Sequence, residues 1–544
     1  MTTIRTELRD AVAAARDRAV AAGQLPLGDA DPPAIIISEP ARPEHGDYAT
    51  NIAMQLAPIV RKAPMQIAET LKDNLTLPPG AGEVVVERPA FLNFRLDPAW
   101  VGSQVSSIRG AGAQFGRSEI GRGQRINVEY ISANPTGPLH IGNARGGFIG
   151  DVLASVLKAT GHRVTREYYI NDYGSQVRDF GESVYLARTG QSGEAGYKGE
   201  YIERIAAEVP DEVVAAVNPL PAIGAWAWNR VFADIKATLA RLGMRFDVYK
   251  SERELHDAGE VADAIERLRA AGHVYEADGA IWFRATAFGD DKDRVLIRSH
   301  GAPTYFAADV AYLLDKFDRG FDHLIYVLGP DHHGDMARLK GATAALGYDP
   351  DRMEIIIYQH VRLAGGAKMS KRAGTFVTLD ELISEVGPDA TRFFFVMRSA
   401  SQHLDFDLEL AKSQSSENPV YYVQYAHARC CSILRLAADR GVAVSDADTA
   451  ALLRHPAEQA LLRRLIALPD AIADAAEHRA IHELPRYSME VASLFSQFYR
   501  DCHVLSEDPA DAALSSARLA LVDATRQVLA NALGLLGISA PESM

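Results

Sequence analysis

The feature that most restricts the fold of this chain lies between Arg125 and Ile170. A β-rich run, Ile126 to Tyr130, is followed by a glycine-bearing turn, an apolar helical stretch from Gly142 to Lys158, and a second strand-like run, Arg163 to Ile170. Strand, turn, helix, strand is the opening of a parallel α/β sheet, because two parallel strands need a long crossover and a helix usually provides it. In such sheets ligands bind beyond the carboxyl ends of the strands, so the turn after Tyr130 is the first place to look for chemistry.

A chain of 544 residues exceeds what one hydrophobic core serves, and further units are expected on either side. Residues 1 to about 115 read as a small α+β unit, with helices before the loop Leu77 to Gly82 and strands at Val84–Val86 and Phe91–Leu96. A glycine-rich connector (Gly110, Gly112, Gly116, Gly121, Gly123) leads into a Rossmann-like parallel sheet spanning 120–390. It carries a mainly helical insertion at about 185–285, introduced by the loop Thr189 to Gly199. The sheet should resume near Val295, with Leu324–Leu328 and Met353–Tyr358 as buried strands. From 391 to 544 Ala/Leu-rich amphipathic segments predict an all-α helical bundle. The expected class is multidomain α/β.

Composition narrows the functional classes. Lys and Arg number 57 against 71 Asp and Glu, a net charge of −14, which excludes a generic polycation. Nucleic acid would have to be met by local basic patches. Cys430 and Cys431 are adjacent and Cys502 is distant, which gives neither a disulfide framework nor zinc-ligand spacing and fits a reducing cytoplasm. No membrane segment is expected: the longest uncharged stretch, Val213 to Asn229, is broken by Pro219 and Pro221. Arg16, Asp17 and Arg18 interrupt the N-terminal helical pattern where a secretory core would be apolar.

Two loops could do chemistry. The segment Asn134 to Gly147 places His140, Gly142 and Asn143 between the first strand and its helix. A helix N-terminus offers unpaired N–H groups and a positive dipole end to phosphate, and His140 can donate a hydrogen bond as charge develops on a phosphoryl oxygen. The competing reading is a turn histidine in a Gly/Pro loop. Over two hundred residues later, Gly365 to Gly374 sets Lys368, Ser370, Lys371 and Arg372 between glycines, so its cations could close over a triphosphate. Alternatively it is a solvated basic turn. No Walker A sequence occurs, and Gly121-x-Gly123 precedes a strand instead of following one.

In this order the two loops resemble the HIGH and KMSKS signatures of class I aminoacyl-tRNA synthetases, and the chain around them resembles the bacterial arginyl-tRNA synthetases over essentially its whole length. The resemblance implies ATP and Mg²⁺, L-arginine and tRNA-Arg as substrates and partners, and a cytoplasmic monomer. Arginine and ATP would form arginyl-adenylate, and the 2′-hydroxyl of the terminal adenosine would then accept the arginyl group. It further implies arginine contacts for Glu129 and Asn134 (in Val128–Asn134), Tyr305 and Asp309 (in Pro303–Asp309) and Asn93 (in Phe91–Phe94). It makes His140, Lys368 and Lys371 catalytic and adds Gly142, Asn143 and Ser370 to the ATP site. The N-terminal unit would contact the tRNA elbow, and Tyr421, Tyr425 and Arg429 would contact the anticodon arm.

Physical chemistry supports part of that assignment. A guanidinium is planar and permanently charged, so a selective pocket wants carboxylates and an aromatic face. The i, i+4 spacing puts Tyr305 and Asp309 on one helical face, and Asp309 stands among apolar neighbours where an unpaired charge is costly. Competing readings are an internal Arg or Lys partner for Asp309, an exposed strand end for Glu129 and a core stripe for the tyrosines. The chain departs from the family pattern at Asn143, which replaces the second histidine of HIGH, and at Gly329–Gly334, where Asp331 and His332 are loose candidates. His332 and His333 are adjacent and lack an evident third ligand, so no metal site is expected. The competing functions are a class I synthetase of another specificity, a simple nucleotidyltransferase and a synthetase-derived tRNA-binding protein without activity.

Overall fold

The computed structural model describes residues 3–194, 196–332, 334–364, 378–444 and 450–544. Its N-terminal unit is an antiparallel sheet of β1 (Tyr48–Thr50), β2 (Ala81–Glu87) and β3 (Phe91–Leu96), ordered β1-β3-β2. The helix Ile4–Ala21 starts where the Thr3 hydroxyl accepts from the Thr6 amide, and it buries Leu8, Val12, Ala15 and Ala19 at helical spacing.

The central sheet is formed by β4 (Arg125–Tyr130), β5 (Arg163–Ile170) and β6 (Val248–Ser251), then, after the strands β7 (Val274–Ala277), β8 (Ala280–Phe283) and β9 (Arg294–Ile297), by β10 (His323–Leu328) and β11 (Met353–Ile357). Its order is β11-β10-β4-β5-β6, with every neighbouring pair parallel. From β4 the chain winds outward through β5 and β6, then returns to the other side of β4 at β10. The connections therefore leave in opposite directions between β4 and β10, and that switch point opens a crevice at the strands' carboxyl ends. Burial along β4 is continuous after Arg125, as a parallel strand covered on both faces requires.

The region expected to be a helical insertion contains the helices Ser175–Thr189, Glu200–Glu208 and Pro219–Arg241, but it also supplies β6 to the main sheet. Strands β7, β8 and β9 form a separate antiparallel meander, so Val295 belongs there and the parallel sheet resumes at His323. Strands of four residues are too short to show a period in the sequence. A further parallel pair joins β12 (Val361–Leu363) to β13 (Leu404–Phe406). Five longer helices follow, Pro419–Asp439, Pro456–Ile466, Leu468–Glu477, Glu483–Asp501 and Ala512–Leu535.

The helix Ile141–Ala159 is the hub of the packing. Gly150 lets it lie directly on Tyr130, whose ring a Cβ there would approach to 2.3 Å. One residue on, Asp151 accepts from Arg392, whose remaining nitrogens donate to Leu242 O (2.7 Å) and Leu536 O (2.9 Å). A buried guanidinium is tolerable only when its donors are satisfied. Here that condition ties the helix to the end of the helix Pro219–Arg241 and to the end of the last helix.

Candidate active site

The turn after β4 is conformationally strained. Ile131 and Ser132 have φ of 67° and 40°, and a left-handed β-branched residue costs on the order of 1 kcal/mol or more. Ser132 is held by two bonds: its hydroxyl donates to Glu129 Oε1 (3.0 Å) and accepts from the Tyr169 amide (3.0 Å). The strain therefore aims the β4 terminus into the crevice.

At the far end of the turn His140 is the N-cap of the helix Ile141–Ala159. Its Nδ1 accepts from the Gly142 amide (3.1 Å), and Asn143 Oδ1 accepts from the His140 amide (3.3 Å). The pair is a reciprocal capping box, an arrangement stabilising by about 1 kcal/mol. This explains what Asn143 does in place of a second histidine. A neutral imidazole that accepts at Nδ1 carries its proton on Nε2, and burial lowers the His140 pKa, so the ring is a neutral Nε2–H donor. Gly142 makes room for this geometry, since a Cβ would meet the ring at 2.9 Å.

Between these features lies a cleft of about 1200 Å³. One wall is acidic. Glu129, only 5% exposed, accepts at Oε2 from Lys316 Nζ (2.6 Å). Lys316 is fully buried, with its ammonium 4.1 Å from the Tyr312 ring centroid and 3.9 Å from that of Tyr326. Asp309 sits one turn after Tyr305 on the helix Tyr305–Asp318, and both line the cleft. Burial pushes the Asp309 carboxyl up to about 6, with Arg338 and His332 opposing and Glu129 adding to the shift. Behind it Glu252, 3% exposed, is pushed up to about 7 by burial and then by the charges of Asp309 and Asp172. Three carboxylates thus converge: Glu129 is paired with the buried Lys316, Glu252 lies 3.8 Å from His256 Nε2, and Asp309 is the one set directly in the cleft wall with its charge opposed by Arg338.

The segment Asn171–Gln176 holds that wall in place. Asp172 accepts from the Ser251 hydroxyl (2.7 Å) and the Arg253 amide (2.9 Å), which fixes the start of the helix Glu252–Asp257. With its amide oriented to satisfy its surroundings, Asn171 donates to Glu252 Oε2 (3.0 Å). At the mouth Asn134 Nδ2 donates to Gln176 Oε1 (2.6 Å), while Tyr305 is 47% exposed.

Lys368, Ser370 and Lys371 lie outside the described residues. The flanks of their segment both reach the cleft: Val361 of β12 lines it, and Thr378 forms a β-bridge with His140 while the Leu379 amide donates to Leu139 O (2.8 Å). Asp331, His332 and Arg338 also line the cleft, the last two near enough to Asp309 to act on its charge. No group of three His, Cys, Asp or Glu that could hold a metal ion occurs among the described residues.

Asn93 is not among the side chains lining the cleft. It lies in the middle strand of the N-terminal sheet and donates to Glu87 Oε2 (2.7 Å), which His45 Nδ1 also meets (2.6 Å). Tyr421 and Tyr425 sit on the surface of the helix Pro419–Asp439, their rings stacked with centroids 6.4 Å apart. Tyr425 is exposed, and Arg429 lies over both its ring (4.9 Å) and that of Tyr499 (4.8 Å).

Sequence reasoning did not reach Lys316, Glu252, Arg338 or Tyr499. Lys316 was findable, because it lies seven residues after Asp309 and hence on the same helical face. Glu252 had no such signal, since it enters the site only through the short strand β6, and Tyr499 meets Arg429 only across two helices.

Comparison with known proteins matches three family models along the chain: an arginyl tRNA synthetase N terminal domain over residues 2–96, a catalytic domain of tRNA synthetases class I (R) over 104–195 and 211–399, and a DALR anticodon binding domain over 423–544. An arginine–tRNA ligase of Moorella thermoacetica is 47% identical, covering 99% of this chain and 98% of its own length. One from Frankia alni is 46% identical, with 99% of each covered. Among solved structures, the arginyl-tRNA synthetase of Thermus thermophilus aligns over 99% of this chain and 100% of its own with a TM-score of 0.79 and 25% identity.

Proposed function

The chain belongs to the arginyl-tRNA synthetase family, whose function is the ligation of arginine to tRNA, and on that premise we propose how its cleft performs the reaction. The arginine guanidinium enters the acidic slot, with Asp309 as counter-charge, Glu252 adding negative charge from behind it and Tyr305 closing over it, while Glu129 and Asn134 border the same ligand. This leaves the carboxylate facing the helix N-terminus. ATP lies there, with Gly142 and Asn143 beneath its phosphates and the His140 Nε2–H donating to the α-phosphoryl group.

The arginine carboxylate attacks the α-phosphorus, the bond to the β-phosphate oxygen breaks, and pyrophosphate leaves with that electron pair. By family resemblance Lys368, Ser370 and Lys371 hold the pyrophosphate. In the second step the 2′-hydroxyl of the terminal adenosine attacks the adenylate carbonyl and AMP departs. Orientation and preset dipoles do the chemistry, with no covalent enzyme intermediate. By family resemblance Mg²⁺ would accompany ATP and neutralise charge on its phosphates. Tyr421, Tyr425 and Arg429 are suited to stack on unpaired anticodon-loop bases and meet their phosphates, the N-terminal unit to bind the tRNA elbow. The reading takes the protein to be a cytoplasmic monomer, as the resemblance implies.

One observation supports this most: the buried Asp309 carboxyl, with Glu252 behind it, lines the same cleft as a helix N-terminus capped by a neutral histidine. The test is ATP–pyrophosphate exchange, with and without tRNA, using arginine and its neutral isostere citrulline. Exchange with arginine in the presence of tRNA and none with citrulline is expected. Comparable exchange with both, or with neither, would overturn the assignment of the slot.

A further inference from the structure

We propose that Lys316 is a positioning residue that sets the specificity of the arginine slot, a built-in counter-charge that keeps Glu129 aimed at the cleft and cancels one of its three carboxylates. The inference rests on the reading above and adds to it a residue that never touches substrate.

Geometry singles this lysine out. Its ammonium is fully buried, bonded to Glu129 Oε2 and enclosed by the rings of Tyr312 and Tyr326, and Glu129 and both tyrosines line the cleft. The other Glu129 oxygen is taken by Ser132, so two donors fix the carboxylate in one orientation. The neighbouring carboxylates have their own cations. Glu167 accepts from Arg319 at 2.7 and 2.8 Å and from the Tyr312 hydroxyl at 2.7 Å, and Asp315 pairs with Lys250 at 3.0 Å. The Lys316 charge is felt by Glu167 as well, but the carboxylate its ammonium bonds directly is Glu129.

A buried ion pair adds little to stability over an apolar pair of similar volume, so packing alone does not call for one. Its position behind a cation slot supplies a reason. Glu129, on β4, is faced by Asp309 from the helix that carries Lys316, by Tyr169 from β5 and by Tyr326 from β10, while Glu252, Arg338 and His332 act on Asp309. Without the ammonium, three like charges would share the wall, and a proton would become the remaining partner for one of them. A proton there competes with the incoming guanidinium.

The test is the arginine KM of Lys316→Met in tRNA-dependent ATP–pyrophosphate exchange between pH 6.5 and 9, with the ATP KM measured alongside. Arginine KM is expected to rise about tenfold over wild type at pH 6.5, the effect of roughly one competing proton per pH unit, and to return within about twofold at pH 9, with ATP KM unchanged. A rise of equal size at every pH, or no rise, would overturn the proposal, because a merely structural prop does not recover with base. If circular dichroism shows that Lys316→Met does not fold, the double variant Glu129→Gln/Lys316→Met decides. It should fold and show a raised arginine KM without the extra pH slope, and a wild-type KM in it would contradict the role. Wild-type protein that fails to exchange with arginine would instead bring down the parent reading, and this one with it.

Discussion

Two places in the molecule set a cation between two tyrosines, and they are opposites. In the slot Lys316 lies between Tyr312 and Tyr326, fully buried and bonded to Glu129. On the C-terminal helices Arg429 lies between Tyr425 and Tyr499, with both rings about two-fifths exposed (39% and 42%). A desolvated cation has strong, fixed interactions and cannot exchange them, which suits a small charged ligand that must be told from its isosteres. The exposed arrangement costs little to open, so its rings and guanidinium can pass to a base and a phosphate. Burial, more than residue type, separates the two tasks.

The largest effect expected on the buried side is from Asp309→Asn. Removing one carboxylate from a charge-paired, desolvated contact costs about 3 kcal/mol, so arginine KM in the exchange assay should rise roughly 100-fold while ATP KM holds. An unchanged arginine KM would remove Asp309 from the slot. Next comes pH. Asp309 is raised to about 6 and Glu252 to about 7 in the free protein, and a bound cation favours their ionised forms. Affinity is therefore fully present above both values and falls as pH drops through them. Lowering pH from 8 to 6 should raise arginine KM by about twentyfold, whereas tRNA KM, which we propose to depend on the exposed tyrosines, should not follow that curve; parallel curves would erase the contrast.

On the exposed side, Tyr425→Ala should raise tRNA KM about tenfold, the loss of one base-stacking partner, with arginine and ATP KM unaltered in kinetics at saturating tRNA. An effect on arginine KM of equal size would mean the two regions are not separate. The smallest change is expected for Asn143→Ala. Loss of half a capping box weakens the start of its helix by about 1 kcal/mol, seen as earlier proteolysis near Gly142, and kcat should fall less than tenfold. A loss comparable to that of His140→Ala would give Asn143 a direct part in the chemistry.

Much of the architecture was legible because it rests on long, strongly patterned segments. The helix after β4, its parallel neighbours and the terminal helices announce themselves by continuous burial or 3.6-residue spacing. The meander β7–β9 and strand β6 did not, since four-residue strands show no period and owe their state to tertiary pairing. In the candidate site, residues nominated within one local pattern line a common cleft: His140 beside its helix, and Tyr305 with Asp309 one turn apart. Glu252 and the pairing of Lys316 with Glu129 depend on contacts across the sheet, 187 residues apart in the second case. Asn93 shows the converse, a residue nominated by a segment's likeness whose amide in this structure is engaged by Glu87.

The most direct measurement is calorimetric titration of arginine into the protein at pH 6.5 in two buffers of different ionisation heat. Carboxylates held up to about 6 and about 7 by burial should together give up about one proton when the guanidinium arrives, and Asp309→Asn should lower that number. Binding of arginine with no proton released, or with protons taken up, would contradict an acidic slot closed by its substrate's charge.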